Sequence, residues 1–108
     1  MNDELMAELT EQFRAGTLDR LDAMRTLLAR FEFDPANREL LTQIHRHFHG
    51  LAGLGGTYGF PLVSEIAAEV EAACDDALAA GTPDEDFIPM LRSAIAKLDA
   101  EVRRVEAG

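Results

Sequence analysis

The chain has 108 residues, 47% of them apolar, and 20 acidic against 10 basic residues give a formal charge of −10. That length suits one compact domain whose core consumes nearly all its large apolar side chains, so a deep substrate cavity is not expected. The negative excess repels nucleic-acid phosphates and anionic membrane surfaces, which argues against nucleic acid or a membrane as partner. The lone Cys74 forms no intrachain disulfide and reads as a small core residue of a protein in a reducing compartment. The start Met1-Asn2-Asp3-Glu4 lacks the basic residues and apolar run of a secretory signal, and no segment has the length to span a bilayer. A cytoplasmic, monomeric protein is the expectation.

In chain order, Leu5, Leu9 and Phe13 recur every four residues, which predicts a short amphipathic helix behind Asn2 or Asp3 as cap. Gly16-Thr17 interrupts that phase. Leu18, Leu21, Met24, Leu28 and Phe31 resume it, predicting a second helix over 17–32, or one bent helix with the first. Asp34-Pro35 reads as the cap and first position of the next helix. Its apolar stripe, Leu40, Leu41, Ile44, Phe48, Leu51, Leu54 and Tyr58, runs unbroken through a segment that holds five glycines between Gly50 and Gly59. Glycine weakens a helix by about 1 kcal/mol relative to alanine, yet the stripe predicts helix as far as Tyr58. Gly59 supplies the stop and Pro61 opens the following helix.

Leu62, Ile66, Val70, Ala73 and Ala77, flanked by Val63, Ala67 and Cys74, mark the next apolar face, which ends at Ala80-Gly81. Thr82-Pro83-Asp84-Glu85 reads as a capping box ahead of Phe87, Leu91, Ile95, Leu98, Val102 and Val105, with Pro89 absorbed by the first helical turn. Long amphipathic helices with short connections and no strand pattern predict an all-α protein. Its architecture is an antiparallel up-down four-helix bundle with a short extra N-terminal helix.

On a helical wheel His49 points about 140° away from the apolar stripe, so its imidazole is expected in solvent. Gly53 and Gly56 share its face one and two turns on, with Ala52 beside them and Gly50 next in sequence. Exposed glycines destabilise a helix, and their accumulation on one face suits close approach of another protein's backbone. An accessible neutral imidazole nitrogen is also a competent nucleophile for phosphoryl transfer, which needs in-line access above all.

The stretch His49-Gly50-Leu51-Ala52-Gly53, with Arg46 before it and Gly59 and Leu62 after it, resembles the phosphoacceptor signature of histidine phosphotransfer domains. Gly56-Thr57-Tyr58-Gly59-Phe60 is similar to the amino-terminal phosphotransfer domain of chemotaxis histidine kinases. The specific motif covers about a quarter of the chain, from Arg46 to Glu71. The resemblance implies that His49 carries the phosphoryl group and that Gly53 permits docking of a receiver domain, within a surface that includes His45, Arg46, Gly50, Ala52 and Gly56. It implies that Glu71 accepts a hydrogen bond from the imidazole, and that Gly59 with Leu62 turns the chain into the partner helix. The partners implied are a response-regulator receiver domain, a histidine kinase, or both. One departure stands out: the family's usual lysine three residues after the histidine is Ala52 here, which removes a cation expected near the phosphoryl oxygens.

Other chemistries fit less well. His45 and His49, four residues apart with His47 nearby, leave a metal site incomplete on one helix, so no metal and no cofactor are expected. The chain has no phosphate-cradling glycine loop ahead of a lysine and no nucleophile elbow, so it is expected to be a carrier rather than an enzyme. The rival is a non-phosphorylated docking module that regulates a receiver or kinase by occupancy. Arg46 and Arg38 would soften the acidic surface at the docking face.

Overall fold

The computed structural model describes residues 3–107, with side chains described as far as residue 104. The Asn2 cap and the Val105 core position lie outside that range. Four α-helices follow one another: α1 over Asp3–Phe33, α2 over Arg38–Leu54, α3 over Pro61–Ala80 and α4 over Phe87–Ala107. A single 3-10 turn, Gly56–Tyr58, extends α2 before the chain reverses. Each helix packs on two neighbours, in the cyclic order α1, α2, α3, α4, which is the arrangement of an up-down-up-down bundle. Among the described residues there is no strand, and no helix is long and apolar enough to cross a membrane.

Of the two readings of Gly16-Thr17, the single helix holds and no separate short N-terminal helix forms. Thr17 is buried and stands four residues from both Phe13 and Leu21, so the stripe runs through it and α1 continues as one helix. At about 1.5 Å per residue its 31 residues match the 47 Å long axis of the molecule. Its first turns therefore overhang the bundle, and Leu5 stays exposed.

The start of α2 also differs from expectation. Asp34-Pro35 forms a turn instead of a cap, closed by a hydrogen bond from the Asn37 amide to the Asp34 carbonyl at 3.0 Å. Asn37 is the cap, its side-chain oxygen accepting from the Leu40 amide at 3.2 Å. Downstream, Gly50 and Gly53 are helical as the stripe predicted, and Gly59, at φ +92°, makes the stop in a backbone region that favours glycine. Gly81 ends α3 in the same way at φ +93°.

On α3 the buried stripe is Val63, Ala67, Val70, Cys74 and Ala77, whereas Leu62 is exposed and Ile66 and Ala73 only half-buried. Flanking residues of the expected face thus form its centre. The capping box at Thr82 is absent, because Asp84 organises the entry to α4 locally. Its carboxylate accepts from the Asp86 amide at 2.9 Å and its carbonyl from the Phe87 amide at 3.2 Å. Pro89 falls in the first turn of α4, where its missing amide proton has no helical partner to lose.

The core runs the length of the bundle. Phe48 and Leu51 of α2 share one buried cluster with Leu21, Met24, Val63, Leu91 and Leu98, all essentially inaccessible, and each such burial contributes about 1.5–3 kcal/mol. At one end Phe13 stacks on Tyr58 with ring centroids 5.2 Å apart and meets Phe60 at 5.6 Å. At the other end Phe31 and Phe87 pack edge to face at 6.3 Å. Burial pushes the Cys74 thiol up to about 12, with the Asp75 and Glu71 carboxylates adding to the effect. It is a core residue with no thiolate character at neutral pH.

Candidate functional site

Helix α2 presents two different sides to its surroundings. One is the core stripe; the other carries His49, whose side chain is 72% exposed. His49 points across the seam toward α3, where the Glu71 side chain is only 23% exposed. The Nδ1 of His49 lies 2.5 Å from Oε2 of Glu71. A carboxylate oxygen accepts and does not donate, so this hydrogen bond puts the ring proton on Nδ1 and leaves the lone pair on Nε2. Nε2 makes no hydrogen bond among the described residues.

Around the imidazole the helix is bare. Gly53 and Gly56 are exposed, and a β-carbon built on Gly53 would meet nothing within 4 Å. The bundle itself therefore does not require glycine at Gly53. Gly50 differs, for a β-carbon there would come within 2.8 Å of a terminal nitrogen of Arg20, whose guanidinium from α1 lies over it. The same nitrogen reaches the His47 carbonyl at 3.5 Å. Arg46 is exposed one turn before His49 and makes no ion pair or hydrogen bond among the described residues. Ala52 is half-buried against the core.

Gly55 has another job. A β-carbon on it would meet the backbone nitrogen and the hydroxyl of Ser64 at 2.8 Å and the Phe60 carbonyl at 2.9 Å. The Ser64 hydroxyl accepts from the Gly56 amide at 2.7 Å, and the Phe60 amide donates to the Gly55 carbonyl at 2.8 Å. This close contact locks the start of α3 against the end of α2 and so fixes the register that brings Glu71 opposite His49.

The other expected residues fall elsewhere. His45 lies at the α2–α3 seam. Its side chain is 22% exposed, 2.9 Å from Asp75 and stacked beside His49 at 6.3 Å between ring centroids. His47 lies in the groove between α1 and α2, where burial and the Arg20 guanidinium hold its imidazole below the ordinary range. Arg38 is remote from His49, donating at 2.7 Å to the Leu78 carbonyl in the last turn of α3.

Arg20, Ser64 and Asp75 also enter the site, and no motif in the sequence marks them. Asp75 follows Glu71 by four residues, as His49 follows His45, so two helical pairs face each other across one seam. That repeated spacing was the available signal.

No curated protein matches the chain. The family model of the Hpt domain matches residues 8–107, nearly the whole of it. The exposed histidine on a four-helix bundle and that match agree, and the chain belongs to the Hpt-domain family, whose members carry phosphoryl groups on histidine in two-component phosphorelays.

Proposed function

We propose that the protein accepts a phosphoryl group on Nε2 of His49 and exchanges it with the aspartate of a receiver domain or receives it from a histidine kinase. The observation that carries this reading is the His49 imidazole itself: exposed, with Nδ1 engaged by Glu71 at 2.5 Å and Nε2 without a partner.

The chemistry follows from that geometry. The Nε2 lone pair attacks phosphorus, an N–P bond forms, and the P–O bond to the donor carboxylate or nucleotide breaks, the electron pair leaving with oxygen. The ring keeps its Nδ1 proton and becomes cationic, and the Glu71 carboxylate offsets that charge as it develops. In the reverse direction the same hydrogen bond weakens as the ring returns to neutral.

Helix face and chemistry fit together. With Gly53 and Gly56 exposed beside His49, a partner's backbone can come close enough for in-line attack. Ala52 supplies no cation to the phosphoryl oxygens, and we assign that part to Arg46 on the same face and Arg20 above Gly50. The Glu71 contact and the Gly56–Phe60 motif support the finer reading that this is a phosphotransfer domain of the chemotaxis-kinase kind. On this reading the chain is a single domain, a cytoplasmic monomer, and a carrier whose donor supplies all nucleotide chemistry.

The test is transfer of radiolabelled phosphate from a phosphorylated receiver domain or a histidine kinase onto the purified protein. Acid-labile, alkali-stable label is expected on the wild type and on His47→Gln, and none on His49→Gln. Binding of the donor without label on the wild type would favour the alternative, a docking module that acts by occupancy.

A further inference from the structure

The seam that orients His49 holds a second constellation one turn away. From α2, His45 enters it; from α3, Glu71 and Asp75 do. Nε2 of His45 lies 2.9 Å from Oδ1 of Asp75 and 3.9 Å from Oε2 of Glu71. The nitrogen is buried and makes no hydrogen bond: the Glu71 oxygen is too far, and the Asp75 oxygen, though close, is not aligned with it. A buried ring nitrogen poised between two carboxylates and satisfied by neither is the arrangement that an ion between them completes.

We propose that His45, Glu71 and Asp75 bind one divalent transition-metal ion, with zinc as the ion to test. The three ligand atoms lie within 4.8 Å of one another. Tetrahedral zinc, with bonds of about 2.0–2.2 Å, needs ligand atoms separated by about 3.3 Å, and the two separations measured at His45 fall on either side of that figure. Two carboxylates and a neutral imidazole balance the charge of a dication. The imidazole selects zinc, cobalt or nickel over magnesium and calcium, which prefer oxygen alone. The chain's net charge of −10 draws cations to it.

The fold, rather than either helix, makes the set. His45 and His49 on one helix fill only half of a coordination sphere. Glu71 and Asp75, four residues apart on α3, bring the missing oxygens because the Gly55–Ser64 contact fixes the helix register. Three protein ligands leave a further position open to water. Glu71 also accepts from His49, so a bound ion draws charge from the carboxylate that orients that imidazole. This last consequence rests on the proposed function; the binding does not.

Titration calorimetry of zinc into tag-free protein, with cobalt absorption as a second readout of coordination, tests the site without any phosphoryl donor, so its failure leaves the transfer reading untouched. One ion per chain is expected. His45→Gln and Asp75→Asn should each weaken binding by more than about tenfold, since even loss of an outer-shell partner costs that much, while His47→Gln binds as the wild type does. Asp75 is 62% exposed, so its variant keeps the fold. Absence of saturable binding to the wild type, or binding that neither variant changes, overturns the proposal.

Discussion

Gly53 and Gly55 stand two residues apart at the end of α2, and the bundle treats them in opposite ways. Gly55 is buried where a β-carbon would strike the Ser64 backbone at 2.8 Å, whereas Gly53 is exposed with open space where its β-carbon would be. One glycine is demanded by the fold. The other gains nothing for the fold, and the helix bears its cost. The difference separates the junction that sets register between α2 and α3 from the outer face that meets a partner, although both lie in one glycine-rich stretch.

The same substitution should therefore have opposite signs at the two sites. Gly55→Ala is expected to destabilise the bundle by about 1–3 kcal/mol, the range for overpacking a tight contact, read as a lower midpoint in urea. Two of the atoms it would strike, the Ser64 nitrogen and the Phe60 carbonyl oxygen, are backbone and cannot swing away. Unchanged stability would mean that the junction is not the fixed point described above.

Glu71→Gln comes next. The amide offers the same shape but less charge to the developing imidazolium, so transfer to His49 should slow by about tenfold or more, by analogy with the loss of a carboxylate that orients a metal-ligating histidine, with the urea midpoint little altered. Rapid-quench kinetics on the variant would measure this. An unchanged rate would reduce the 2.5 Å contact to a structural one.

Gly53→Ala should raise stability by up to about 1 kcal/mol, the intrinsic helix preference of alanine, while weakening association with the receiver. The two readouts moving in opposite directions is the signature of a glycine kept for a partner. If stability rises and transfer is untouched, the outer face does not press on a partner at Gly53.

The smallest expected effect concerns pH. Burial and Arg20 hold the native His47 imidazole below its ordinary value, so between that value, about 6.5, and the lower native one, the unfolded chain binds the proton that the folded chain resists. Stability is full above the ordinary value and declines as pH falls through this window. His47→Gln should flatten that part of the pH–stability curve.

The helices were legible because buried side chains recur with helical period, and the period survived even the glycines of α2. Local competition was harder to read. Asn37 displaced Asp34 as cap because its side chain reaches the Leu40 amide, and Asp84 displaced Thr82 by closing its own turn. Thr17 hid the continuity of α1, since a buried threonine reads as a break when only apolar residues are followed. At the site, the exposure of His49 could be taken from the wheel. The approach of His45 to Asp75 could not, because it depends on the rotation of one helix against another, which the Gly55–Ser64 contact and the buried α2–α3 core set together.

The most direct test of the central claim is to find the nitrogen that carries phosphorus. Nitrogen-15 NMR of the labelled protein, phosphorylated by its donor, distinguishes the two ring positions. The account predicts phosphorus on Nε2 of His49, with Nδ1 still protonated and held by Glu71. Phosphorus on Nδ1, or on His45 or His47 instead, would contradict it.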